Sequence, residues 1–185
     1  MSELLFSRLE MLASRRLMAV LLVLFLVLFL VVFPMVSAQL ALYSGGQHMI
    51  DMETGYTAGQ VYQMISAYGE QGRSLHLTTT LTADLLYPLD YSLLFALLII
   101  VTFLEAFPAG RLVRRLCLVP FATAAFDLLE NAGIVAMLAL YPQQIPFLAQ
   151  AANLFTTLKW AFLVFSIVLV LVGFVGLGVT RLKRR

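Results

Sequence analysis

The chain has 185 residues, 62% of them hydrophobic and 12% charged, with a formal net charge of +2. Soluble domains carry about 25% charged residues, so this composition suits lipid rather than water as the solvent. A spanning helix takes about 20 apolar residues, which leaves space for four spans and one modest loop but for no separate soluble enzyme domain.

The first span is predicted from about Leu17 to Ser37, an unbroken apolar run behind Arg15 and Arg16. Val36-Ser37-Ala38 fits a signal-peptide cleavage site, but the run exceeds the roughly 7–15 residues of a signal core, which favours a retained span. Residues 39–87 are more polar, and Gly45-Gly46 breaks the chain early. Thr57 with Gln60 matches a capping box. Val61, Met64, Ile65 and Tyr68 then recur at helical spacing, and Gly69 can stop the helix. This predicts a short amphipathic helix from about Ala58 to Tyr68, on the membrane surface or capping the spans. A second helical stretch starts near Arg73 and leads towards Pro88.

The second span is predicted at about 89–107, with Pro88 at its start, where a missing N–H costs little, and Pro108-Ala109-Gly110 at its end. The third covers about 116–141 and stops at Pro142. A short loop containing Pro146 leads to the fourth, at about 151–179. Helix is the spanning state required, because isolated strands leave backbone groups unpaired in lipid. The fold class expected is all-α: a polytopic membrane protein, one membrane domain over residues 1–185, with a four-transmembrane-helix bundle and a short extracytoplasmic helical segment between spans 1 and 2. Cys117, the only cysteine, excludes disulfide frameworks, thiolate metal sites and CxxC redox chemistry.

Basic residues set the orientation. Arg8, Arg15 and Arg16 precede span 1; Arg111, Arg114 and Arg115 separate spans 2 and 3; Arg181, Lys183, Arg184 and Arg185 follow span 4. By the positive-inside rule all three groups are cytoplasmic, with both termini. The expected location is the bacterial inner (cell) membrane, and residues 39–87 and the loop at Pro142 face outward.

Two basic residues remain, Arg73 and Lys159. Lys159 lies in span 4, about 13 Å from its outer end, and Glu130 in span 3 at about 16 Å. Charges at that depth face the protein interior and pair, so Lys159 is expected to face Glu130 or Asp127. Asp127, Glu130 and Asn131 share one helix face. The run Ala122-Thr123-Ala124-Ala125 lets a neighbouring helix approach, and Asn153, Thr156 and Thr157 add polar groups to span 4. Arg73, His76, Thr80, Asp84 and Tyr87 form a stripe at helical spacing, which Tyr91 continues.

In this outward-facing set the acids Asp84, Asp90, Asp127 and Glu130 outnumber the bases Arg73 and Lys159. Either some carboxyls hold protons, or a cation or basic ligand neutralises them. Asp90 by itself also reads as a helix-start carboxylate favoured by the dipole. His48 reads as a solvated loop histidine. With His76 it makes two histidines, too few for a zinc or haem site, so no cofactor or metal is expected. Glu105 is expected to pair with Arg111 or Arg114, and Gly173, Gly176 and Gly178 read as packing residues.

The order of Tyr68-Gly69 with Gly72-Arg73, Asp84 with Tyr87-Pro88 and Asp90-Tyr91, Phe126-Asp127 with Glu130-Asn131, and Lys159-Trp160 resembles an uncharacterised family of small bacterial four-span integral membrane proteins. The resemblance covers roughly Tyr62 to Trp160 and implies no activity. No serine–histidine dyad, HExxH motif or cysteine pair of known intramembrane enzymes occurs.

Three functions remain open on the sequence. The polar site Asp127, Glu130, Asn131 and Lys159, with Arg73, His76, Asp84 and Asp90 near it, binds a small ligand, a lipid headgroup or a cation. Alternatively, the cluster only locks helix packing in a structural or accessory subunit. Or an intramembrane enzyme acts on a lipid-linked substrate, with Asp127 or Glu130 as acid/base and Arg73 on a phosphate. The partners implied are membrane lipid and, since four spans are few for a carrier, further copies in a homo-oligomer; no nucleic acid is implied.

Overall fold

The structure, a computed structural model, describes residues 2–107 and 113–183, with the side chains of residues 2–5 and 113–114 left aside. The expected stop at Pro108-Ala109-Gly110 lies outside the described residues, as do Arg111, Arg184, Arg185 and the side chain of Arg114. Among the described residues every regular element is helical, and four helices are long and apolar enough to cross a membrane.

The first is built from α2 (Arg15–Val27), a π-helical turn (Leu28–Val32) and α3 (Phe33–Ser44), which follow one another without a break over Arg15–Ser44. A short helix, α1 (Ser2–Leu12), precedes it, and Ser14 Oγ accepts the Leu17 N–H at the turn between them. The π turn has a local cause. Pro34, at the start of α3, cannot donate to the turn before it, and Phe33 N–H reaches back five residues to Leu28 O. The helix runs well past the expected end at Ser37 and closes on Gly45 in the left-handed region at φ 68°.

A 3₁₀ turn (Ile50–Met52) leads to α4 (Ala58–Ala67). The capping box is present: Thr57 Oγ1 accepts the Gln60 N–H at 3.3 Å and Gln60 Oε1 accepts the Thr57 N–H at 2.8 Å. The apolar face of α4 is core rather than membrane-surface contact, since Val61, Ile65 and Tyr68 are fully buried. α5 (Gly69–Leu81) begins a turn earlier than expected, at Gly69 with φ 63°. It breaks at Thr82, and α6 (Ala83–Ala106) follows. Pro88 is therefore inside α6, not at its start.

α7 (Val113–Leu116) is a single turn, and α8 (Val119–Leu140) is the third long apolar helix, three residues shorter at its start than expected. α9 (Pro146–Lys183) is the fourth, at 38 residues about 57 Å long. It starts at Pro146, which was expected in a loop; proline suits the first helical position, where its N–H would be unsatisfied anyway.

The chain forms two compact units. The first gathers the chain up to Phe25, Leu89–Ala124 and the chain from Trp160. Its core includes Phe6, Leu9, Leu97, Ile100, Phe103 and Leu169. Small residues bring helices close here. A Cβ on Gly173 would meet Thr102 Cβ at 2.9 Å, and one on Gly176 would meet Phe107 Cζ at 2.8 Å. Gly178, expected to do the same, has open space around it. Glu105 accepts Arg181 Nε at 3.1 Å and Nη2 at 3.3 Å, a partner the sequence did not suggest.

The second unit is Leu26–Pro88 with Ala125–Lys159. Its core joins Leu40, Ile50, Val61, Ile65, Ile134 and Ala152 among others. Tyr62 ties α4 to the start of α9, its hydroxyl taking the Ile145 N–H at 2.8 Å. Tyr68 Oη donates to His48 O at 2.6 Å. A Cβ on Gly133 would meet Ala152 Cβ at 3.0 Å, so α8 and α9 touch there almost backbone to backbone.

Candidate functional site: a buried acidic cluster in the second unit

Helical spacing puts Asp127, Glu130 and Asn131 on one face of α8, and the close approach at Gly133 and Ala152 turns that face towards α9. Lys159, on α9, answers it. Its Nζ lies 2.6 Å from Glu130 Oε2, 3.8 Å from Asp127 Oδ1 and 3.5 Å from the Asp51 carbonyl, to which it donates. Thr156, one turn earlier on α9, donates to Glu130 Oε1 at 2.7 Å. Lys159 is 6% exposed and Glu130 0%. At such burial an unpaired charge costs several kcal/mol, on the order of the pair's own attraction, which is why the ammonium is surrounded by acceptors.

Asn131 has a different partner from the ion pair. Its Nδ2 donates to the backbone carbonyl of Asp84 at 3.0 Å. In a regular helix that carbonyl would receive the N–H of residue 88, but residue 88 is proline and has none. The side chain of α8 thus satisfies the group that Pro88 frees in α6. Asn131 Oδ1 is buried and has no hydrogen-bond partner among the described residues.

The 3₁₀ turn covers the cluster. Asp51 lies within electrostatic reach of Tyr56, Tyr68, His76, Asp84, Glu130 and Lys159. The segment is clamped to α9 at two points: Lys159 on the Asp51 carbonyl, and Asn153. The Asn153 amide accepts the Gly55 N–H at 2.9 Å and donates to Tyr56 O at 3.2 Å. Burial pushes the Tyr56 phenol up to about 12 and holds the Tyr68 phenol well above the ordinary range, so both stay neutral.

His76 on α5 is fully buried, edge-on to Tyr68 at 5.5 Å, and neither ring nitrogen is bonded among the described residues. Asp84, at the start of α6, is 5% exposed, with Asp51 its first charged neighbour and Asp127 the next. The acids around Lys159 are therefore Asp51, Asp84, Asp127 and Glu130, and among the described residues Lys159 is the only buried lysine or arginine. No three His, Cys, Asp or Glu side chains among the described residues converge as metal ligands would.

Two residues of the expected set stand elsewhere. Arg73 turns away from the cluster: its guanidinium lies 4.2 Å from the centre of the Tyr141 ring, and Nη1 donates to Ile65 O at 3.4 Å. Asp90 belongs to the first unit and lies well inside α6, not at a helix start; its carboxylate oxygens are buried without a hydrogen-bond partner among the described residues. His48 is an exposed loop residue paired with Glu53. The sequence reading missed Asp51 and Tyr56. The only sequence signal for Asp51 was its place in a short apolar-flanked run, Met49-Ile50-Asp51-Met52, between glycine breaks; Tyr56, just after Gly55, had none.

Comparison of the chain with protein families, curated proteins and solved structures finds no match.

Proposed function

We propose that this is a multi-pass protein of a bacterial plasma membrane, with both termini cytoplasmic, whose buried acidic site binds a small cation that reaches it from the extracytoplasmic side. One observation carries the reading: four acids, Asp51, Asp84, Asp127 and Glu130, gather around Lys159, the one buried lysine or arginine among the described residues. Surplus charge in a poorly solvated site is costly and is relieved by an opposite charge. A bound cation supplies that charge. Membrane depth is supported by the exposed apolar side chains Leu81, Leu85, Leu86, Leu129 and Leu154, which flank the cluster residues in sequence. The orientation rests on the basic residues that precede span 1 and follow span 4.

The enzyme alternative loses its phosphate ligand, since Arg73 stacks on Tyr141. The packing alternative keeps one specific support, the Asn131 bond to the carbonyl that Pro88 frees. It accounts for Asn131 Nδ2 and does not by itself call for four acids around one lysine. Native mass spectrometry of the full chain, with thermal unfolding across a panel of inorganic and organic cations, tests the proposal. A retained low-mass cation and a cation-dependent rise in unfolding temperature are expected. A bare chain indifferent to every cation contradicts it.

A further inference from the structure

Among its described residues the first unit buries one acid, and nothing in that unit neutralises it. Asp90 lies about 10 Å along α6 from the start of the helix and is 4% exposed. Both carboxylate oxygens are buried, and neither has a hydrogen-bond partner among the described residues. The described basic side chains of the unit, Arg8, Arg15, Arg16, Arg115, Arg181 and Lys183, are all exposed. Its other buried polar side chains among the described residues are hydroxyls that are already spent. Ser92 donates to Leu89 O at 3.2 Å, Thr102 to Leu98 O at 2.7 Å, Thr123 to Val119 O at 3.4 Å and Ser166 to Phe162 O at 2.8 Å, each a carbonyl of its own helix.

These surroundings decide between the two forms of the acid. A buried ionised carboxylate requires a counter-charge or several donors, and with neither it takes up a proton instead. The neutral acid carries no charge and offers a single O–H donor. Glu130, as deeply buried in the second unit, is served differently: it has Lys159 Nζ at 2.6 Å and the Thr156 hydroxyl at 2.7 Å. A metal ion fits Asp90 poorly, because it draws on several oxygens at once. No three His, Cys, Asp or Glu side chains among the described residues converge in that way, and the nearby hydroxyls are turned to their own helices.

We infer that Asp90 is a reversible proton-binding site, a carboxyl held neutral inside α6 and a ligand site in addition to the acids around Lys159. Ionisable side chains within membrane spans commonly mark proton relays, and Asp90 is the one residue of the first unit with the chemistry for that work. Its ligand needs no second protein group, which is why a lone, unpartnered carboxyl suffices.

Infrared difference spectroscopy of the full chain in lipid nanodiscs at neutral pH, wild type minus Asp90→Asn, tests this. Asparagine is the neutral isostere, so the variant is expected to fold. The wild type is expected to show the carbonyl stretch of a carboxylic acid, lost in the variant and shifted down in deuterium oxide. A carboxylate band in its place overturns the proposal. A carboxylic-acid band that deuterium oxide leaves unmoved shows a trapped proton and overturns reversible binding. Loss of the band on adding sodium, potassium or magnesium chloride makes this a metal site and overturns the proton. If Asp90→Asn fails to fold, dicyclohexylcarbodiimide on the wild type decides. The carboxyl O–H adds across one C=N bond, and the O-acylisourea rearranges to a stable N-acylurea, so nothing leaves and no co-reactant is needed. An adduct on Asp90 in peptide mass mapping supports the proposal, and an unlabelled Asp90 overturns it.

Discussion

Lys159 and Asn131 look alike in a sequence, as polar residues where lipid is expected, yet they do different work. Lys159 neutralises Glu130 at 2.6 Å. Lys159→Met strands that carboxylate and is expected to cost about 3–5 kcal/mol, much of which Glu130→Gln returns in the double variant; additive losses in reversible unfolding would show that the two are not partners. Asn131 serves the backbone. Asn131→Ala leaves the Asp84 carbonyl unpaired, a loss of about 1–3 kcal/mol. In a Pro88→Ala background residue 88 regains an N–H for that carbonyl, and the same Asn131 change is expected to cost clearly less. A double-mutant cycle measures the difference, and equal costs in both backgrounds would remove the Pro88 explanation. The shared depth of Lys159 and Glu130 was legible by counting residues from the turn at Pro142. The Asn131 bond was not, because it joins positions 47 residues apart through a main-chain atom that carries no sequence identity.

Among the elements, those with a local chemical cause could be read directly. Thr57 and Gln60 close the capping box, and the Val61, Ile65 and Tyr68 face is buried as its spacing requires. Thr57→Ala is expected to cost about 1 kcal/mol and to speed amide exchange at the first turn of α4; unchanged exchange there would mean that packing alone fixes the helix end. Elements shaped by tertiary contacts were misread. Pro88 and Pro146 both stand before apolar runs, but only Pro146 begins its helix. What lets α6 extend back through Pro88 is the amide of Asn131, supplied by another helix. The break at Thr82 is likewise absent from the residue pattern, and so is the Tyr141 ring that takes the Arg73 guanidinium.

For the whole molecule, the four long apolar helices follow from composition, and all but two of the twelve basic residues fall on the side proposed as cytoplasmic. Reporter fusions at Arg111 and Arg185 are expected to read cytoplasmic and one at Glu70 external; an external signal at Arg185 would remove the four-span orientation. The candidate site was legible in its α8 and α9 residues and not in the loop that covers it, because Asp51 reaches the cluster only through the fold of the segment between the first two spans.

A site holding more acid than base should be less stable empty than when neutralised, a cost that binding sites commonly carry. Thermal unfolding of wild type and Asp84→Asn, each with and without the panel of inorganic and organic cations, tests this most directly. The wild type is expected to rise in unfolding temperature with at least one cation of the panel. Asp84→Asn is expected to unfold at or above the cation-free wild type and to respond little to that cation. A variant that unfolds well below the wild type, beside a wild type that ignores every cation, would contradict the binding site and make Asp84 part of the scaffold.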